Sequence, residues 1–383
     1  MQTLQPAGYQ PFIATPGKFG STRAAVCASL GAKWEVVPMT WWNRKSRVSL
    51  MRRLVLAAID TKTSWFGIRS ILHIRRLIRD WQIDLVHTHT GVIPWGAIAA
   101  KTMGIPHIWH IHEPNGSARL FEYWLPDSVL ASLIQNWSDH LILVSRYVGE
   151  LFDQHSLPTP KTVIYQGVDA DLFGHIEAGR DLRKSLNIGQ DQLLIGMVAG
   201  PTSTWKRHDL FIKAAALLQA QAPNVRFAIF GTIPHQSRWL YNTSYDYALS
   251  LQKLVADCGL ADHFIWAGFH ADVPAIMNAL DILVHPCAQE GFGRIAIEAM
   301  AAGRPVVGPR GGGLAESVID GETGLLVAPN SAEALAAACQ TLISQPELRY
   351  RLGHAGQNHV RSAFGLQRSA EAIIDVYRQV LGG

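Results

Sequence analysis

Two glutamates eight positions apart, Glu290 and Glu298, bracket the run Gly291-Phe292-Gly293. A short apolar run, Ile282–His285, ends just before them, and a helical pattern, Arg294–Ala302, opens just after. Glycines at a strand-to-helix turn let backbone N–H groups come close to a ligand, and the helix N-terminus favours negative charge. A diphosphate suits such a turn, and the flanking carboxylates could accept hydrogen bonds from sugar hydroxyls. The next apolar run, Pro305–Gly308, leads into a second glycine turn, Gly311–Gly313, with Glu316 after it. Any one of these glycines alone reads as a plain turn or cap. Two glycine-rich strand ends with paired carboxylates point further, to a phosphate and sugar site. Whether Glu316 braces that site or touches a ligand stays open.

Other polar clusters also fall at strand ends. His87, His89, His110 and His112 form two i, i+2 pairs at the ends of neighbouring apolar runs, with Glu113 beside them. That composition could bind zinc, but histidine at a strand end is also a common satisfied polar group. No metal ligand is assigned. Lys206 and Arg207 open a polar helix after the run Leu193–Val198, where phosphate contact or plain solvation are the alternatives.

Short apolar runs alternate with helical patterns along the chain. The strand-like runs are Pro11–Ala14, Trp34–Pro38, Leu85–His87, His107–Ile111, His140–Val144 and Thr162–Tyr165, then Leu193–Val198, Arg226–Phe230, Phe264–Trp266, Ile282–His285 and Pro305–Gly308. Such alternation predicts parallel sheets covered by helices on both faces, with ligands at the carboxyl ends of the strands. The stretch Asp169–Asp191 is polar and reads as irregular, so the boundary is placed there. The expectation is a first domain over 1–185, a second over 186–362 and a last helix over 363–383. The tail from Ser331 reads as several helices punctuated by Pro346 and Gly353.

Composition is that of a globular protein: 383 residues, 48% hydrophobic and 17% charged, long enough to split its core into two domains. No apolar run reaches the roughly 18–20 residues of a membrane span. The four cysteines, Cys27, Cys258, Cys287 and Cys339, stand far apart and suggest neither a disulfide framework nor a zinc site. The opening residues lack the pattern of a signal peptide, so a soluble cytoplasmic protein is expected. Net charge is +4, yet ten of the 34 basic residues lie between Trp41 and Asp80 against only Asp60 and Asp80. Interleaved Trp41, Trp42, Trp65 and aliphatic residues suit an anionic membrane surface. A solvated helix packing its apolar stripe on its own domain is the alternative. No nucleic-acid motif accompanies the charge, so nucleic acid is not an expected partner.

The run from Glu290 through Glu298-Ala299-Met300-Ala301-x-Gly303-x-Pro305-Val306-Val307 resembles the E-x7-E block of retaining glycosyltransferases of family 4. Asp84–His89 resembles that family's D-x-V-H-x-H strand end, Pro106–Glu113 its strand ending in H-[DE], and Ser138–Ser145 its [AS]-D-x5-S strand. Val163–Phe173 resembles V-I-x-N-G-V-D-x3-F, with Gln166 in place of Asn. The resemblance runs over about residues 10–370. It implies the GT-B fold: α/β, with two Rossmann-like doubly wound domains facing across a cleft, acceptor side over 1–185 and nucleotide-sugar donor side over 186–362, and the helix over 363–383 crossing back to the first. It implies transfer of a hexose from a UDP- or GDP-linked sugar, as substrate, to a hydroxyl of a glycan or lipid-linked acceptor. No separate cofactor and no bound metal are implied. Glu290 would meet donor-sugar hydroxyls, Glu298 the nucleotide ribose, Gly291, Phe292 and Gly293 the diphosphate, Lys206 and Arg207 phosphate charge, and His112 the transferred sugar. Cell-surface polysaccharide or glycolipid synthesis, at the inner face of the membrane, is the expected setting.

Two departures bear on this. Pro201 stands where the family has an arginine in its phosphate loop. The chain opens on what resembles the family's second strand, so the glycine-rich loop after the first strand is not seen, and Gly17–Gly20 does not replace it. A reading frame starting further upstream, or a fragment, is the preferred account; loss of activity is the other. The alternatives to transfer are therefore an impaired nucleotide-sugar binder and, against the E-x7-E block, a sugar-nucleotide epimerase of the same fold.

Overall fold

A computed structural model describes residues 4–16, 31–44, 67–114, 122–123, 125–155, 157–234 and 243–382. Cys27, the Gly17–Gly20 run and residues 45–66, most of the basic stretch, lie outside them. The chain divides into two compact units: one of residues 1–165 with 367–383, the other of residues 166–366.

In the first unit β1 (Phe12–Pro16) pairs in parallel with β2 (Lys33–Val37), and β3 (Asn43–Arg44) forms a two-residue antiparallel ladder with β6 (Glu122–Tyr123). A parallel sheet of β4 (Val86–His89), β5 (His107–Ile111), β7 (His140–Leu143) and β8 (Lys161–Val163) runs in the order β4-β5-β7-β8. Among the described residues no strand joins the β1–β2 pair to this sheet. The strands β5 and β7 are buried along their whole length, as a parallel sheet covered on both faces requires. One face is closed by the chain's own last helix, Leu366–Leu381, whose Val376 joins Ile108, Ile142 and Ile164 in a buried cluster.

The helix over residues 67–80 buries Ile74, Leu77 and Ile78 against Val37 and Ala99. Its apolar stripe thus packs on its own unit, while Ile68 and Leu72 remain exposed one turn apart.

The second unit is a six-stranded parallel sheet of β9 (Leu193–Val198), β10 (Val225–Phe230), β11 (Phe264–Gly268), β12 (Ile282–Val284), β13 (Val306–Pro309) and β14 (Gly324–Val327). Its order, β11-β10-β9-β12-β13-β14, is the doubly wound order, with the switch point between β9 and β12. The strand β14, Gly324-Leu325-Leu326-Val327, was not among the runs read from the sequence.

Two expectations are corrected. The stretch 169–191 is not irregular: it holds a short 3₁₀ turn, Ala170–Gly174, and the helix Ile176–Ser185, which packs on the helix Val273–Ala279. Its apolar content is low, but Arg183 does the anchoring. The guanidinium donates to Asp281 Oδ2 at 2.9 Å, to the Ala279 carbonyl at 2.9 Å and to the Gly189 carbonyl at 3.1 Å. The unit boundary accordingly falls at 165/166 rather than 185/186. Gly353 does not punctuate a helix either; it lies inside Pro346–Ala363, where a Cβ would sit 2.0 Å from the Gly303 carbonyl oxygen. Close backbone packing, not helix termination, selects glycine there.

Asp281 Oδ2 also accepts from the Leu194 amide at 2.8 Å, tying β9 to β12's lead-in. Removing Arg183 leaves that carboxylate largely buried without its cation. Arg183→Ala is expected to cost about 2–3 kcal/mol, less than a fully buried pair because both groups keep some solvent, and to lower the melting temperature by about 5–10 °C. Thermal unfolding followed by circular dichroism checks this; an unchanged melting temperature would contradict it.

Candidate functional site

The switch point of the second sheet brings two of the sequence-selected residues together. Lys206 ends a 3₁₀ turn, Thr204–Lys206, after β9, and Glu290 lies on the loop after β12. Lys206 Nζ donates to Glu290 Oε2 at 2.6 Å and lies 4.0 Å from the centre of the Trp205 ring. His285, buried at the end of β12, holds Nε2 3.3 Å from the same Glu290 oxygen, near enough for charge but off-line for a hydrogen bond. Burial by itself raises the Glu290 carboxyl, but His285 and then Lys206 outweigh it and hold the group at about 2. Glu290 is therefore a carboxylate at neutral pH, able to accept from hydroxyls but not to supply a proton.

Gly291-Phe292-Gly293 forms the turn into the helix Arg294–Ala301. Gly293 caps that helix at φ +81°, a conformation L side chains rarely adopt. The second glycine turn lies directly on the first: Gly313 N donates to the Glu290 carbonyl at 2.8 Å, and a Cβ on Gly313 would stand 2.1 Å from the Gly291 carbonyl oxygen. Phe292 is buried against Phe364, ring centres 5.5 Å apart. Glu298 is also buried, within the helix, and accepts from Arg294 Nε at 2.8 Å. Burial raises its carboxyl, and Arg294 one turn earlier opposes that rise.

Arg207 is turned elsewhere. At φ +59° its backbone starts the helix His208–Gln219, and its guanidinium donates to Asp209 at 3.1 and 3.2 Å and to Asn330 Oδ1. Pro201, in the arginine position of the family's loop, is buried. Of the two sequence-selected cations, Lys206 is the one seen paired with Glu290.

In the first unit, His87 and His89 lie on one face of β4, and His89 is in register with His110 of β5. His112 follows β5, its Nε2 3.4 Å from His89 Nδ1 and its ring centre 4.4 Å from that of His110. Burial lowers all four imidazoles, aided by their mutual repulsion in His87, His89 and His110. His89 and His112 are lowered to about 4. His107, on the opposite face and in contact with Thr88 and the Trp137 carbonyl, also falls to about 4 because burial outweighs the Trp137 carbonyl and Asp139, which raise it.

Sequence reasoning named Glu113 only as a conceivable metal ligand. It instead clamps the turn after β4, accepting from the Thr90 hydroxyl and, at 2.8 Å, from the Gly91 amide. Thr90 is held there at φ +88°, strained for a β-branched residue, and its carbonyl accepts from Trp109 Nε1 at 2.8 Å. His285 and Arg294 were also missed; their only sequence signal is nearness to Glu290 and Glu298.

The lowered histidines set a pH dependence. They are neutral in the folded chain and gain protons on unfolding below about pH 6.5, so stability falls as pH drops from 6.5 towards 4 and is insensitive to them above 7. His107 alone, fully buried and shifted from 6.5 to about 4, accounts for about 3 kcal/mol across that window. Thermal melts at half-unit pH steps are expected to show this descent before ordinary carboxylates titrate; a flat profile from pH 7 to 5 would contradict it.

Known proteins resemble this chain over both units. A family model described as glycosyl transferases group 1 matches residues 180–359, and one described as glycosyltransferase family 4 matches residues 1–172. A D-inositol 3-phosphate glycosyltransferase of Streptomyces scabiei (strain 87.22) is 31% identical over 312 residues, spanning 78% of this chain and 68% of that protein. The lipopolysaccharide core biosynthesis mannosyltransferase LpcC of Rhizobium leguminosarum bv. viciae is 33% identical over 226 residues, spanning 59% of this chain and 62% of that protein. Among solved structures, Anabaena Alr3699/HepE in complex with UDP and glucose has the same fold, with a TM-score of 0.74 and 21% identity over 94% of this chain and 89% of its own.

Proposed function

Because the chain belongs to the group 1 glycosyltransferases of the family-4, GT-B type, we propose that it transfers a hexose from a nucleoside diphosphate sugar, with retention, to a hydroxyl of a glycan or lipid-linked acceptor. The observation that carries this reading is the Lys206–Glu290 pair at the switch point, seated on two interlocked glycine turns with Glu298 in the following helix.

In this reading the donor diphosphate lies at the turn. The amides of Phe292 and Gly293 at the helix N-terminus, with Lys206, take its charge as the glycosidic bond breaks. Leaving-group stabilisation is assigned to these groups and not to a metal. Glu290 stays ionised and accepts from hydroxyls of the donor sugar. Glu298 accepts from the ribose, and its pairing with Arg294 sets the position of its carboxyl. His112 is assigned to the transferred sugar; as a neutral imidazole it can hydrogen-bond a hydroxyl without adding charge. Arg207 is left in its helix-start role. Retention follows from attack on the face the diphosphate leaves, with the departing phosphate oxygen taking the acceptor's proton and the chain supplying position and charge.

The names of the relatives support the setting. One acts in lipopolysaccharide core biosynthesis and one is a D-inositol 3-phosphate glycosyltransferase, so cell-surface polysaccharide or glycolipid synthesis is the proposed context. The structural neighbour was solved with UDP and glucose, which supports a UDP-linked donor over a GDP-linked one. We place the chain in the cytoplasm, peripheral on the inner membrane face. The exposed Ile68 and Leu72, beside the exposed Arg69, Arg76 and Arg79, support that contact. No helix among the described residues is long and apolar enough to cross a membrane.

Thermal melting with UDP, GDP and ADP tests the donor half. UDP at 100 times its dissociation constant is expected to add about 2.7 kcal/mol of stability, and Glu298→Ala to remove the effect. Lys206→Ala is expected to weaken UDP binding by about 10–100-fold, the loss of one charge-assisted contact. The reading fails if no nucleotide stabilises the folded chain. It also fails if the donor is epimerised with nucleotide freed at the same rate whether or not an acceptor is present.

A further inference from the structure

Three imidazoles of the first unit converge in a way the transfer reading leaves unused. His87, His89 and His110 project from one face of neighbouring parallel strands, and one ring nitrogen from each lies within 4.8 Å of the other two. Ring centres are 4.3 Å apart for His87 and His89, 5.0 Å for His89 and His110, and 5.5 Å for His87 and His110. His110 is only 5% exposed, and neither of its ring nitrogens makes a hydrogen bond among the described residues. Nε2 of His87 makes none either. Buried polar atoms without partners are rare in folded chains and point to a missing ligand.

The other nitrogen of His87 is held. Nδ1 stands 2.6 Å from Tyr377 Oη on the last helix, and the Tyr377 ring is itself packed edge-on against that of Tyr9. A ligating histidine is characteristically oriented in this way, its second nitrogen donating to an oxygen that fixes ring and tautomer.

We propose that His87, His89 and His110 form a site for one Zn²⁺ ion, with a fourth position open to water or a substrate oxygen. The donor set decides the ion. Three nitrogens and no carboxylate suit zinc, whereas Mg²⁺ and Ca²⁺ seek oxygen; Glu113, the acidic neighbour in sequence, is committed to Thr90 and Gly91. Nitrogens around a tetrahedral zinc lie about 3.4 Å apart, so the three rings close inward by rotation about their side-chain bonds. All three ligands belong to the first unit, and the proposal stands or falls independently of the transfer reading.

The test uses the full chain, stripped with a chelator and reloaded with Co²⁺ or Zn²⁺. One equivalent of zinc is expected to survive dialysis by elemental analysis, and Co²⁺ to give the visible bands of a four-coordinate ion that zinc then bleaches. His110→Phe keeps the ring's bulk while removing both nitrogens, and is expected to weaken Co²⁺ binding by more than about tenfold. His354→Ala, an exposed histidine of the second unit, is expected to change nothing. Should His110→Phe fail to fold, His89→Ala removes a more exposed ligand and carries the same expectation. The proposal is overturned if the stripped, folded chain takes up no stoichiometric ion. It is equally overturned if uptake persists undiminished in whichever of these two variants folds.

Discussion

The second unit is organised around a contact between two pieces of backbone. The turn after β13 presses on the turn after β12 so closely that Gly313 touches the Gly291 carbonyl and donates its amide to Glu290. No side chain fits between them, so the positions of Glu290, Phe292 and the helix start are set by main-chain packing and not by rotamers. This matters because Glu290 is under electrostatic tension. It is largely buried yet ionised, and among the described residues Lys206 and His285 offset that cost. Rigid placement keeps Lys206 and His285 at contact distance, and a loose loop would surrender the carboxylate to solvent or to a proton.

The first unit solves a different problem at its strand ends. There the polar groups are imidazoles, and burial keeps them uncharged. A neutral cluster tolerates partial burial at lower cost than a carboxylate pair would. The adjoining turn is held by Glu113 and Trp109, which together keep Thr90 in a conformation it would not choose. Strain of this kind persists only where surrounding contacts over-determine the backbone.

Much of this was legible in the residues. Parallel strands buried on both faces read as continuous apolar runs, so β5, β7, β9, β10 and β12 stood out. Their ends located Lys206, Glu290 and Glu298 without any structure. The helix Ile176–Ser185 was hard to read because only Gly179 and Leu182 are buried along it: a backbone-close glycine and an arginine paired with an aspartate 98 positions away stand in for the apolar stripe that periodicity detects. The contacts of Arg207 with Asp209 and Asn330 were illegible for a related reason, since spacing does not reveal them. Gly353 looked like a stop because a glycine selected by close packing carries no mark distinguishing it from one selected by a turn. The Lys206–Glu290 contact itself, across 84 positions, follows only from the order of strands in the sheet.

One feature of the architecture reaches into how the chain is made. The first unit is discontinuous: its last helix, after residue 366, supplies Val376 to the cluster of Ile108, Ile142 and Ile164, and Tyr377 to His87. On the ribosome, residues 1–165 therefore wait for the stretch after residue 366. The second unit, continuous in sequence, has all its strands before then and can close while the first still lacks its final face. The usual order of N-terminal completion first is reversed. During that interval the apolar face over β5 and β7 is what a nascent-chain chaperone would meet.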